Sequence, residues 1–379
     1  MSRNRTIYQV LALYASQVAP SVNQTGLNTV KQLSRVQSFD EDFSRNFTDI
    51  NQFGNLAAID RIETEAPTVS SSFEYYLTNG LNEKYIGLSV APSGTTSANL
   101  TSCVSGLLSK TTDEKNYYLL IADEGNDAAG YNGTNSGVIA LGNSYLTSYS
   151  VNAAVGDLAT ASVEMEALNL RVYGNANDPS GVEGPGVNPT DGTIISTSKF
   201  KLPGATAMTG VKIPNALQPG DIVFAMTGAL GFNNLDLKVQ DFTLSFDLAR
   251  TPLQKLGTKF AFSREIDFPV TATLEVNAQV GDVEDGNLAD LLCNNPSYNF
   301  EIQLKQPGCG STKPSALVYQ FKGAKLVSQN FSSSIGDNAT MSATYEVQIG
   351  GPQDLDRGVF ISGSFTNNEA YPPAGLIVA

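Results

Sequence analysis

VQSFDEDFSRNFTDINQFGNLAAIDR, residues 36–61, lies without a gap on VQDFTLSFDLARTPLQKLGTKFAFSR, residues 239–264. The offset is constant at 203 (239 − 36), and Val36, Gln37, Phe39, Phe43, Thr48, Gly54, Ala58 and Arg61 each meet an identical residue. Gly54 falls on Gly257 and Arg61 on Arg264. A second pair of stretches keeps the same order: LTSYSVNAAVGDLATASVEME (146–166) lies on LVSQNFSSSIGDNATMSATYE (326–346), at an offset of 180 (326 − 146). Its centre is Gly-Asp-x-Ala-Thr, with Gly156 and Asp157 in one copy and Gly336 and Asp337 in the other. A repeat on this scale sets the architecture ahead of any local reading, so the chain is a tandem duplication. The offsets differ by 23 (203 − 180), which places 23 extra residues in loops of the first copy.

The duplicated blocks read as strands. Val69, Ser71, Phe73, Tyr75 and Leu77 alternate with Ser70, Ser72, Glu74, Tyr76 and Thr78. In the second copy Val270, Ala272, Leu274, Val276 and Ala278 alternate with Thr271, Thr273, Glu275, Asn277 and Gln279. A period of two means one buried face and one wet face, the pattern of antiparallel sheets with a solvent side. Residues 99–110 and 287–295 read as short amphipathic helices, each followed by an apolar strand. The expected fold is mainly β: two tandem β-sandwich or half-barrel modules, each with one short helix, over 1–167 and 220–379. Residues 168–219, dense in Gly, Pro, Asn and Asp, are expected to be linker and exposed loop.

Composition narrows the chemistry. The 379 residues hold 37 acidic and 23 basic side chains, a net charge of −14, and no histidine. Without imidazole there is no Ser/His/Asp or Cys/His nucleophile and no histidine-ligated zinc. So acidic a surface repels nucleic acid, whose sequence-independent binding rests on lysine and arginine. No apolar run approaches the length of about 20 residues that spans a membrane. The odd set Cys103, Cys293 and Cys309 offers no disulfide framework, and Cys103 and Cys293, on comparable helices, are expected to be buried. The loops 123–127 and 281–286 are acidic, but neither has EF-hand spacing, and both read as solvated turns. The glycines Gly181, Gly184 and Gly186 lack the Gly-Lys-Ser/Thr of a phosphate loop. Six glycosylation sequons read as chance in an Asn/Ser/Thr-rich chain, and the segment 6–16 reads as a strand instead of a signal peptide. No catalytic residue, cofactor or metal ligand is expected.

The run 35–80 resembles the N-terminal part of bacteriophage tail tube proteins. An aromatic strand, the Phe53-Gly54 turn, the Asp60-Arg61 pair and the Pro67–Val69 strand follow one another in that family's manner. Residues 239–276 resemble the matching region through Arg250, Leu256, Gly257, Arg264 and Phe268–Val270. The resemblance implies a structural virion protein of the phage tail, assembled in the host cytoplasm, whose modules join edge to edge into stacked rings. It implies a tape-measure protein in the lumen during assembly, a sheath outside where the tail contracts, and DNA passing through without specific binding. Two modules per chain favour a trimeric ring of pseudo-six-fold symmetry over a hexamer. It also turns the wet faces toward the lumen, making Ser70, Ser72, Glu74, Thr271, Thr273, Glu275 and Asn277 the candidate lining residues. A secreted or cell-surface β-sandwich adhesin is the alternative.

Overall fold

The computed structural model describes residues 11–18, 30–92, 100–110, 112–122, 128, 136–175, 182–196, 199–200, 202, 215–226, 230, 237–281, 285–308 and 313–365. The fold is mainly β and largely antiparallel. In the first copy the strands are β1 (Leu11–Gln17), β2 (Lys31–Gln32), β3 (Val36–Ser44), β4 (Phe47–Ile50), β5 (Asp60–Glu63), β6 (Thr68–Tyr76), β7 (Val90–Pro92), β8 (Glu114–Ile121), β9 (Ser136–Ala154), β10 (Thr160–Ala167) and β11 (Asn169–Asn175). The second copy supplies β12 (Ile222–Met226), β13 (Leu237–Asp247), β14 (Thr271–Val280), β15 (Tyr298–Lys305), β16 (Ser315–Ser332), β17 (Thr340–Gln348) and β18 (Gly358–Gly363). The helices are short: α1 (Leu81–Tyr85), α2 (Ser105–Leu108) and α3 (Leu288–Asn294).

The strand order is the same twice. β3, β6, β10, β9, β8 and β1 are successive neighbours in the first copy, and β13, β14, β17, β16, β15 and β12 in the second. β11 lies on β9 as β18 lies on β16. Registers repeat to the residue. Thr160 faces Tyr76 and Asn152, while Thr340 faces Gln279 and Ser332, which are the same positions at offsets of 203 and 180. Even the irregularities coincide: Gln37 and Gln240 are each skipped in their ladders, as are Thr147 and Val327. A bulge re-aims the strand after it, so both copies bend at matching points.

Alternation explains the burial. Val69, Ser71, Phe73 and Tyr75 of β6 are buried between more exposed neighbours, as are Ala272, Leu274, Val276 and Ala278 of β14. The main apolar cluster takes side chains from both halves, among them Phe73, Tyr149, Leu244, Phe246, Tyr319 and Tyr345. The halves also exchange elements. β7, from the first copy, runs parallel to β18 of the second, with Val90 opposite Ile361. The Cys103 amide donates to the Val359 carbonyl at 2.9 Å. Tyr149 and Tyr319 share a hydroxyl hydrogen bond of 2.8 Å, and Glu83, 0% exposed, accepts from Tyr75 at 2.9 Å and Tyr149 at 3.3 Å.

Several local expectations differ from the fold. Among the described residues of 99–110 only Ser105–Leu108 is helical, and α1, not foreseen, adds a second short helix to the first half. Cys103 is buried but Cys293 is exposed, because α3 sits at the surface with Leu288 and Leu292 also exposed. The segment 168–219 is more than linker and exposed loop: β11 lies in it, and Val182, Val187, Phe200 and Leu217 are buried. Its turn formers shape an irregular cover whose few apolar side chains reach inward. Cys309, the acidic loop 123–127 and much of 281–286 lie outside the described residues.

Candidate functional surface

The polar positions of the duplicated strands share one face of one sheet. Glu74, Ser162, Ser150, Ser245, Thr273 and Glu346 form a cross-strand row from β6 through β10, β9, β13 and β14 to β17. Glu275 lies in the adjacent row with Thr243 and Thr344. Ser70, Thr271, Glu275 and Asn277 are exposed, whereas Ser72, Glu74 and Thr273 are half-buried among neighbours. Side-chain parity also puts Asp40, Asp42, Glu164, Asp241 and Asp247 on this face, with Lys238 and Lys325 as basic members. The sum is a broad acidic surface that both copies share. A field of one sign repels polyanions and weakens with salt.

The sheet is continuous because the copies meet strand to strand. β13 lies antiparallel on the outer half of β9, from Asp241 opposite Ala154 to Asp247 opposite Ser148. The Leu248 amide donates to Thr147 at 2.7 Å and the Val155 amide to Gln240 at 2.8 Å, extending the joint at both ends. Phe246 is 2% exposed and stacks near Tyr149, ring centroids 5.5 Å apart.

Charges clamp the joint. Arg250, 3% exposed, donates to both carboxylate oxygens of Asp113, at 2.6 and 3.2 Å, and to the carbonyls of Leu146 and Arg264. Burial pushes the Asp113 carboxyl above its ordinary value, with Arg250 pulling the other way. Arg264 pairs with Glu166, and Lys110 pairs with Glu265, whose carboxyl is held low by that bond. Burial raises the Tyr145 hydroxyl, and both guanidinium groups lie over its ring. Farther out Phe260 packs with Tyr145, Leu168 and Val187, and its amide donates to the Pro189 carbonyl at 3.0 Å.

Among the described residues the equivalent outer edges carry no further strand. β3 pairs with β6 on one side, and no described strand takes the other. Beyond Lys325, β16 pairs with β17 alone among the described strands. Phe43, counterpart of Phe246, is 57% exposed. The hairpin of β4 and β5 projects with Phe53 and Leu56 fully exposed. Arg61 there pairs with Asp49 at 3.2 Å, side chains 68% and 56% exposed.

The four paired glycines take similar backbone angles: φ is +91° at Gly54, +87° at Gly257, +99° at Gly156 and +97° at Gly336. No atom lies within 4 Å of where a Cβ would stand, so conformation and not crowding favours glycine there. Asp157 and Asp337 follow in the turns. Among the described residues no group of His, Cys, Asp or Glu is placed to hold a metal ion, and no helix is long and apolar enough to cross a membrane. Sequence reasoning missed Arg250 and Asp113 as a clamp. Arg250 falls on Phe47 in the repeat, so the duplication itself hid it.

No protein-family model matches the chain, and no curated protein does. Among solved structures it is similar to a chain from the "Cryo-EM structure of the anti-feeding prophage (AFP) baseplate, 6-fold symmetrised". The identity is 9%, the coverage 47% of this chain and 100% of that chain, and the TM-score 0.28.

Proposed function

We propose that the chain is a structural protein of a phage-type tail, forming rings that stack into a tube with the acidic sheet face toward the lumen. The observation that carries this reading is the β13–β9 joint: one copy of the module already pairs edge to edge with the other, and among the described strands one edge of each kind has no neighbour. Contacts between unlike edges propagate head to tail and, when the rotation closes, make rings. Two modules per chain favour three chains around a pseudo-six-fold axis, with six chains as the alternative.

The chemistry of the face suits a conduit. Glu74, Glu164, Asp247 and Glu275 present carboxylates without an answering row of arginines, so phosphates passing by are repelled. A tape-measure protein would fill the lumen during assembly and DNA would replace it. The role is mechanical and electrostatic, not enzymatic. Negative-stain microscopy and light scattering of the purified chain test it: rings or tubes are expected, and a stable monomer at high concentration would overturn the reading. Replacing Glu74 and Glu275 by lysine should leave rings intact and slow genome ejection.

A further inference from the structure

Resting on that reading, we infer that the chain carries the template for its own intermolecular interface. β3 of one copy pairs with the outer half of β16 in a second copy, in the register that β13 holds on β9, and Arg61 of the first copy pairs with Glu346 of the second. The partner is therefore another copy of this chain, and the contact is specified to the residue.

The repeat offsets do the translation. β13 corresponds to β3 at 203 and β9 to β16 at 180, and these offsets already reproduce the β3–β6, β6–β10 and β10–β9 ladders in the second half. Thr243 opposite Asn152 becomes Asp40 opposite Ser332; Ser245 opposite Ser150 becomes Asp42 opposite Asn330; Phe246 opposite Tyr149 becomes Phe43 opposite Gln329. The chemistry of these pairs agrees. The two aspartates face a hydroxyl and an amide that can donate to them, and no carboxylate faces another. Phe43 turns to the buried face, as Phe246 does at the joint. A one-residue slip would send it to the wet face.

The ion pair is a separate argument. Arg264 and Glu166 clamp the internal joint, and their repeat partners are Arg61 and Glu346. The sequence keeps both charges in the two copies, while Arg61 within its own chain meets the exposed Asp49 and lies over the Phe47 ring, still 68% exposed. A guanidinium and a carboxylate preserved at matching positions, 8% and 30% exposed when joined, with Arg61 68% exposed and Glu346 half-buried where they are not, are what a repeated interface leaves on each free end. The acids Asp40, Glu41 and Asp42 meanwhile guard β3 against indiscriminate strand addition.

Two measurements on the full chain test this. In a background with Cys293 and Cys309 replaced by serine, D42C with N330C should form reducible covalent oligomers under mild oxidation. Opposite strand positions bring Cβ atoms within disulfide reach. D40C with N330C, displaced by two residues, should cross-link about tenfold less, since diagonal neighbours lie roughly 7–8 Å apart. Independently, R61E or E346R alone should lower the assembled fraction by about tenfold, and R61E with E346R should restore it. Circular dichroism confirms that each variant folds. Rings that persist in R61E and give no Asp42–Asn330 cross-link would overturn the inference and leave the tube reading standing. A wild-type chain that stays monomeric and uncross-linked would overturn both.

Discussion

At the internal joint Phe246 is 2% exposed and Arg250 is 3% exposed; at the outer edge Phe43, in the same repeat position as Phe246, is 57% exposed. The strands around them have the same order, the same bulges and the same polar face. What separates the two regions is a neighbouring strand, and the Arg250 clamp that stands where the first copy has Phe47. On the proposed reading, stability within the chain and the capacity to associate are drawn from one design, used once inside the molecule and held open once at each end.

The largest test of this contrast is truncation of the paired phenylalanines. Phe246→Ala should destabilise the chain by about 3–5 kcal/mol through the cavity it leaves. Phe43→Ala should change the stability of the isolated chain by within about 0.5 kcal/mol. Urea unfolding at low protein concentration measures both. Equal costs would mean that the edge is already covered.

A smaller effect is expected at the buried Glu83 carboxyl, which accepts from Tyr75 and Tyr149. Burial raises the Glu83 carboxyl above its ordinary value, although its tyrosine hydrogen bonds oppose that. The folded state then binds the proton more tightly than the unfolded chain does. Stability from this group is full below the unfolded value and falls as pH rises toward the folded one. Glu83→Gln, which cannot ionise, should flatten that part of the stability-versus-pH curve. Thermal unfolding between mildly acidic and neutral pH reads the slope, and an unchanged slope would show that Glu83 does not titrate there.

The smallest effects compare the copies at a point where they should not differ. Gly54→Ala and Gly257→Ala meet no atom within 4 Å but must hold φ near +90°. Each should cost about 1 kcal/mol. A clear inequality in the isolated chain would show that one turn has contacts the other lacks.

Much of this was legible in the sequence. Identities at fixed offsets located the copies, and the period-two alternation through Val69–Leu77 and Val270–Ala278 assigned both faces. It brought Glu74 and Glu275 to one side because parity is local information. Which strand neighbours which is not local: nothing in the β13 or β9 residues names the other. β7 escaped notice because three residues ending in Pro92 have no periodicity to detect. Cys293 was misplaced because amphipathic spacing fixes a stripe on α3 and not whether a partner covers it. The segment 168–219 was underestimated because turn composition describes the path of a backbone and says little about the few side chains that anchor it.

The pairing of β7 with β18 also bears on time. Val90 and Ile361 are neighbours across 271 positions (361 − 90), so the stitch between them closes only when nearly the whole chain has left the ribosome. Contacts this distant in sequence form late and slowly, since the intervening loop must be ordered first. Early in synthesis β3 emerges with β6, long before β16 exists. The nascent chain thus displays β3 without β16, and under the proposed pairing a polysome carrying many such chains could not join them in a circle. On the proposed pairing, completion of the C-terminal half would act as a clock that delays self-association until each chain is finished.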